Sequence, residues 1–328
     1  MKKTLLIYSL ALLFFQGKTL GAEKALRVSY PSPATVYLPL WAAKEAGFFA
    51  KHKLNVELIH VGSSPIALSA FLAGEIDILG GGGSAGPNAY LQGSRDLKFF
   101  ASMNSKFVFS IYSHPSISSA AELRGKKIGV TRLGGTMHFA TRYYLKSIGF
   151  DPYKDVTLVQ VGRAEDIVTA LAGGTVDAGT MSFPFDLKTK EMGYRELADL
   201  SRSGARYASS SFIGQKQFLI DNRPRMESFI KALIEALHFV NTRRQDGIKI
   251  LARYTRLSDM NMLKRTYDFH AENIWPRVPE IQPEDLKLVL EELAERNPRA
   301  REIAAADLIY GQIVQDVVKS GFVEQLYR

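Results

Sequence analysis

Two stretches of this chain match at a distance of one hundred residues. Residues 62–77 read GSSPIALSAFLAGEID and residues 162–177 read GRAEDIVTALAGGTVD, with Gly62/Gly162, Ala70/Ala170, Gly74/Gly174 and Asp77/Asp177 in register. A recurrence at this spacing implies a structural unit of about half a domain used twice. Two similar α/β units that face one another make a cleft, so the repeat constrains both the fold and where a ligand could sit.

The surroundings of each copy follow one course. In the first half, residues 26–30 are β-prone. Leu38, Trp41, Ala42, Ala46 and Phe49 then recur at helical spacing up to a glycine stop at Gly47. Residues 55–60 read as a strand, 66–72 as a helix and 76–79 as a strand. In the second half, residues 127–130, 156–161 and 176–181 read as strands, and 136–147 and 166–172 as helices. Strands alternating with helices of this length predict parallel sheets covered by helices. Between the copies, residues 97–113 read as extended chain leading out of one lobe, and 207–217 as chain leading back, which together would form a hinge. From residue 223 onward amphipathic helices are predicted over 223–241, 247–254, 258–273, 282–297 and 308–320, packed on the first lobe. The expected fold class is α/β, with two similar lobes of mostly parallel sheets, a two-crossing hinge and a helical C-terminal tail. The expected partition is 1–22 as a leader, 23–110 with 213–328 as the first lobe, and 111–212 as the second.

The leader expectation rests on Lys2 and Lys3, an apolar run over residues 5–15, and the small residues Gly21 and Ala22. A run of about 11 residues is too short to span a bilayer that needs roughly 20, so it reads as a cleaved secretory signal. Its removal takes three lysines and no acid, lowering the formal charge from +9 to +6. The chain has no cysteine, which rules out disulfides, thiolate metal sites and a lipidated N-terminal Cys. An unlipidated, exported chain points to the periplasm. Basic residues are scattered, as in Arg223/Arg225 and Arg243/Arg244, and form no nucleic-acid stripe.

Three loops carry candidate site residues. The run Gly80-Gly81-Gly82-Gly83-Ser84-Ala85-Gly86 fits a dinucleotide fingerprint and a hydrolase nucleophile elbow, yet both matches are weak. The first motif should follow the first strand of its unit and be answered by an acid about 20 residues on, where Lys106 stands. The second needs a later acid and histidine in a recognisable setting. The physical reading is a strand-to-helix loop that lets a ligand approach the backbone at Gly82, Gly83 and Ser84, balanced against a tight packing turn. Gly134, Gly135, Thr136 and His138 repeat this logic in the second lobe, with Thr136 at a predicted helix N-cap and an anion site beside it. Ser182 and Phe183 occupy the place in copy two that the glycines hold in copy one. An aromatic wall formed by Phe183 or Phe185 is expected there, one of the two being core. Asp77 and Asp177 read as structural turn residues rather than a carboxylate acid/base pair. There is no metal-ligand spacing and no phosphate-binding loop, so no catalytic residue, metal or cofactor is assigned.

These features resemble a known family. Leu38-Pro39-Leu40-Trp41-Ala42-Ala43-Lys44-Glu45-Ala46-Gly47-Phe48-Phe49, Leu72-Ala73-Gly74-Glu75-Ile76-Asp77 and Leu123-Arg124-Gly125-Lys126-Lys127-Ile128-Gly129-Val130 resemble the periplasmic substrate-binding proteins of ABC importers. The group is the nitrate/sulfonate/taurine one, which is similar to the thiamine-pyrimidine synthases. The resemblance implies a monomeric type II binding-protein fold that delivers a small solute to an inner-membrane permease and its ATPase. It also implies ligand-facing loops at Ser32 and Thr35, at Gly82 to Ser84, at Gly134 to His138 and at Ser182 and Phe183, with Asn104 near the hinge. The implied solute is a sulfonate, nitrate, carboxylate or pyrimidine-like molecule. A pyrimidine-biosynthesis enzyme and a sensory module for a membrane receptor are the alternatives.

Overall fold

The structure is a computed structural model that describes residues 24–62 and 64–328; the expected leader lies outside them. Among the described residues ten strands form: β1 Leu26–Tyr30, β2 Val56–His60, β3 Leu79–Gly81, β4 Leu97–Ser102, β5 Phe109–Ser113, β6 Lys127–Val130, β7 Thr157–Gln160, β8 Ala178–Ser182, β9 Arg195–Asp199 and β10 Ser211–Gln215. β1 pairs in parallel with β2, and β6 pairs in parallel with β7 and β8. Helices Ser64–Leu72 and Ala164–Ala172 make the matching crossovers.

The repeated aspartates explain why the copies agree where they do. Asp77 Oδ2 accepts the Arg27 backbone N–H at 2.8 Å, and Asp177 Oδ2 accepts that of Lys127 at 2.8 Å. Their own N–H groups return the bond to Arg27 O at 2.9 Å and Lys127 O at 2.8 Å. Each acid thus locks the start of one strand to the entry of another. Just ahead of them, Gly74 at φ +74° and Gly174 at φ +67° end their helices in the left-handed region that other residues avoid.

The sheets are mixed rather than mostly parallel. In the second half the order is β7-β6-β8-β5-β9, with β5 antiparallel to both neighbours. In the first half β10 runs antiparallel between β3 and β4, and a parallel bridge Val28↔Ile78 ties β1 to the chain entering β3. The strands there follow β2-β1-β3-β10-β4, the same plan. The segments expected to be plain connections supply β4, β5 and β10: β4 is the edge strand of the first half's sheet, β10 inserts between β3 and β4 there, and β5 inserts between β8 and β9 in the second. The boundaries at residues 110/111 and 212/213 fall within β5 and β10.

Residues 103–108 and 200–210 join the halves, and they are bonded to each other. Met103 N–H donates to Ser210 O and Tyr207 N–H to Ser105 O, each at 2.9 Å, beside an antiparallel bridge Lys106↔Arg206. The C-terminal helix Arg223–Thr242 packs on helix Leu38–Glu45 and its extension, with Phe49 stacked on Phe229 at 5.5 Å. Helices Met260–Asn273 and Glu284–Arg296 also reach the second half. Phe269 stacks on Phe183, Arg265 pairs with Glu191, and Glu292 and Glu295 pair with Arg142 and Lys146 on helix Thr136–Ser147. No helix of the described residues is long and apolar enough to cross a membrane.

Candidate functional site

The carboxyl ends of β1, β2, β6 and β7 converge on a cavity of about 70 Å³ between the halves. One wall comes from the segment after β1, with Ser32, Val36 and Tyr37, and from His60 at the end of β2. The other comes from Thr131, Gly135, Thr136 and Met137 after β6 and from Arg163 to Glu165 after β7. Val108, Phe109 and Ser209 of the crossings close it. This volume suits several water molecules or a small oxyanion, since one water needs roughly 10–15 Å³ on this measure.

Two helices point their amino ends into this space. Helix Thr136–Ser147 has Gly135 as N-cap, extended at φ −83° and ψ 177°, with no side-chain cap. Thr136, expected at the cap, is instead the first helical residue. Its hydroxyl is therefore not spent on the helix end, and it faces Gly82. Helix Ala164–Ala172 is capped at Arg163, whose N–H donates to Asp166 Oδ2 at 2.9 Å. The unpaired N–H groups and dipoles of such ends favour negative charge. Arg163 adds a cation at the mouth, two-thirds exposed and leaning on Glu165 and Asp166 at 3.3 Å. His60 stacks on Tyr30 at 5.2 Å. Burial lowers the His60 pKa, Glu165 and the Pro31 backbone oppose that, and Arg163 adds to it.

Behind this cavity the halves touch. A methyl group placed on Gly82 would overlap the Thr136 hydroxyl and lie 2.9 Å from the Tyr207 hydroxyl. Gly83 N–H donates to Ala208 O at 2.7 Å. Beyond the contact lies a second cavity of about 510 Å³, lined by Ser84 and Asn88 on one side, by Gly134, His138 and Arg142 on the other, and by Glu292 of the tail.

The twelve expected residues therefore divide. Ser32, Gly135 and Thr136 line the first cavity, and Ser84, Gly134 and His138 the second. Gly82 and Gly83 form the contact between them. Thr35 and Ser182 are buried, with side-chain oxygens that have no hydrogen-bond partner, and Thr35 N–H reaches Phe183 O at 3.4 Å. Asn104 is committed to the crossing: its Oδ1 accepts Lys106 N–H at 2.6 Å, and Nδ2 donates to Ser210 Oγ at 3.4 Å. Phe183 lines neither cavity. Its ring stacks on Phe269 at 4.6 Å and meets His270 edge-on at 5.1 Å, so the expected aromatic wall is absent from the cavities.

Ser84 and His138 share a cavity, yet they do not form a nucleophile pair. His138 Nδ1 accepts the Gly134 N–H at 3.0 Å, which leaves the neutral ring's proton on Nε2, the wrong tautomer for a base oriented by an acid. Ser84 has ordinary right-handed geometry, φ −77° and ψ −22°, unlike a strained elbow. Among the described residues no group of three or more His, Asp or Glu side chains could hold a metal.

Sequence reasoning missed His60, Arg163 and Glu165. A signal existed for the first two: His60 closes β2 and Arg163 follows β7, next to the repeated Gly62 and Gly162. In open α/β sheets ligands gather at such strand ends.

Two α/β halves of matching strand order, joined by two crossings around a cavity, define the periplasmic binding-protein fold. Solved structures share it. The alkanesulfonate-binding protein SsuA of Xanthomonas axonopodis pv. citri, bound to MOPS, superposes with a TM-score of 0.72 at 20% identity, over 87% of this chain and 98% of that one. The nitrate-binding protein NrtA of Synechocystis PCC 6803 gives 0.73 at 15% identity, over 90% and 88%. The chain belongs to the NMT1/THI5-like family, whose pattern residues 34–244 match. Among its relatives, a protein of Brucella abortus (strain 2308) that carries the name of a binding protein is 26% identical over 265 residues, 80% of this chain and 81% of its own. The nitrate/nitrite binding protein NrtA of Nostoc sp. is 25% identical over 231 residues, 62% of this chain and 51% of its own.

Proposed function

We propose that this protein is the solute-binding component of an ABC importer, working in the periplasm. In this reading residues 23–110 with 213–328 form one moving lobe and 111–212 the other. They close on a small anionic solute and present it to a permease and its ATPase. The observation that carries the proposal is the interlobe cavity on which the amino ends of helices Thr136–Ser147 and Ala164–Ala172 converge, with Arg163 at its mouth. Ser32, Thr131, Thr136 and Ser209 line it beside an apolar patch of Val36, Val108, Phe109 and Met137. That lining suits a nitrate, carboxylate or short-chain sulfonate. It favours these over a planar heterocycle, because Phe183 is stacked on Phe269 outside the cavity. The names of the SsuA and NrtA relatives fall in the same solute classes.

The test is a thermal-shift and calorimetry panel of nitrate, acetate, methanesulfonate, ethanesulfonate and a pyrimidine on the purified protein. A ligand that binds only the folded state stabilises it by roughly 2.7 kcal/mol at about 100 times its dissociation constant. A binding anion is expected, weakened by Thr136→Ala and by Gly135→Leu. If nothing in the panel raises the melting temperature, the proposal fails; unchanged affinity in both variants would remove the second-lobe loop from the site.

A further inference from the structure

Tyr37 closes the single-turn helix Thr35–Tyr37 that follows β1, and it belongs to the first-lobe wall of the smaller cavity. Only 4% of the residue is exposed, and its ring leans on that of Tyr30 at 6.2 Å. Among the described residues nothing hydrogen-bonds to its hydroxyl, yet this oxygen is not sealed from solvent as those of Thr35 and Ser182 are. It opens on the cavity that the residue lines. Burial, with Tyr207 nearby, pushes its pKa well above the ordinary tyrosine range, so the group is a neutral donor.

Neighbouring polar groups are engaged elsewhere. The His60 ring hydrogen-bonds with the Pro31 backbone, and Ser32 is partly exposed and can be served by water. Tyr207 lies on the second crossing, stacked on Phe107 of the first crossing at 4.7 Å and on Phe139 at 5.1 Å, and its hydroxyl meets Ser84 and Thr136 outside the cavity.

The amino ends of helices Thr136–Ser147 and Ala164–Ala172 and the Arg163 guanidinium all belong to the second half. An oxyanion held by them presents its remaining oxygen to the opposite wall. That oxygen needs a donor, because a buried acceptor without one has lost the hydrogen bonds it had in water. Tyr37 is the buried donor on that wall. Phenylalanine would pack on Tyr30 equally well, so packing does not explain the phenol oxygen. We propose that the Tyr37 hydroxyl donates a hydrogen bond to an oxygen of the solute, on the side away from the second-lobe helix ends. This rests on the solute-binding function proposed above. It makes the solute a molecule with at least two acceptor oxygens facing opposite lobes, and it makes Tyr37 the residue through which the first lobe recognises it.

The test is Tyr37→Phe, measured by calorimetry against nitrate, acetate, methanesulfonate and ethanesulfonate, together with the ligand-free melting temperature. For each anion that binds the wild type, the dissociation constant should rise at least about tenfold, in line with a lost hydrogen bond to a charged group. The ligand-free melting temperature should stay level or rise. Unchanged affinity in a folded variant overturns the inference and leaves the binding function intact. So does a loss of affinity that comes with a ligand-free melting temperature lower by several degrees, because the hydroxyl would then be supporting the fold. A wild type that binds none of the four anions removes the functional reading and this inference together.

Discussion

The ion pair between Arg142 and Glu292 offers a direct measure of whether the two halves move. Both side chains are about nine-tenths buried, and they join helix Thr136–Ser147 to the tail helix Glu284–Arg296. Breaking a buried pair by removing one partner costs about 3–5 kcal/mol, because a charge is left without compensation. Glu292→Gln keeps the shape and some hydrogen bonding, so about 3 kcal/mol is a fair figure. Where that loss falls depends on the mechanism. If the pair spans two moving lobes, opening lets Arg142 hydrate and the loss is confined to the closed form. The closed population then drops more than about a hundredfold relative to the open one. Solute affinity falls by up to the same factor, since binding then also has to drive closure. Solution scattering on the ligand-free protein should show a larger radius of gyration for the variant, and calorimetry a weaker solute. The melting temperature should move by less than about 3 °C. A drop of about 5 °C or more with unchanged radius and affinity would refute the reasoning, since 3 kcal/mol lost from a fold of about 300 residues, at about 2.1 cal/mol/K per residue, shifts the midpoint by about that much. The neighbouring Lys146–Glu295 pair is far more exposed, and breaking it should change little.

Gly82→Ala places a methyl group against the Thr136 hydroxyl and the stacked Tyr207. It should hold the halves apart, weakening solute binding by about tenfold or more with an unchanged circular dichroism spectrum; undiminished affinity would show that the contact yields freely. Asp186 is buried at the start of helix Phe185–Glu191, with one carboxyl oxygen lacking a partner. Burial pushes its pKa up from 3.8 to about 7; nearby backbone N–H groups oppose this, and Glu196 and Asp199 add to it. The folded value lies above the unfolded one, so the stability present below pH 4 is lost progressively as the pH rises to about 7. Asp186→Asn should flatten that slope and raise the melting temperature at pH 8 by several degrees, and a variant that melts lower there would contradict the assignment.

Much of the scaffold was legible because its signals are local. A helix stop at Gly74 or Gly174, a strand of alternating burial and an aspartate at a strand entry are set by neighbours a few residues away. The mixed sheets were not legible, because β5 and β10 look like connecting chain until the opposite half offers an edge. The site was half legible for the same reason. Strand-end loops such as Gly134 to Thr136 announce themselves through glycine. The direction of the Phe183 ring, by contrast, is decided by Phe269, and that of Tyr207 by Phe107 and Phe139. Asn104, expected among the ligand-facing residues near the hinge, has its side chain consumed by Lys106 and Ser210.

The two crossings are cross-linked to each other by backbone bonds, and their rings are stacked face to face. Two struts tied along their length behave as a leaf spring: they bend easily about one axis and resist torsion. Relative motion of the halves then reduces to a single angle, which a single interprobe distance reports. The chain contains no cysteine. Two introduced thiols, one on each half, would give a site-specific label pair free of background, and the whole opening coordinate could be followed as one number in solution.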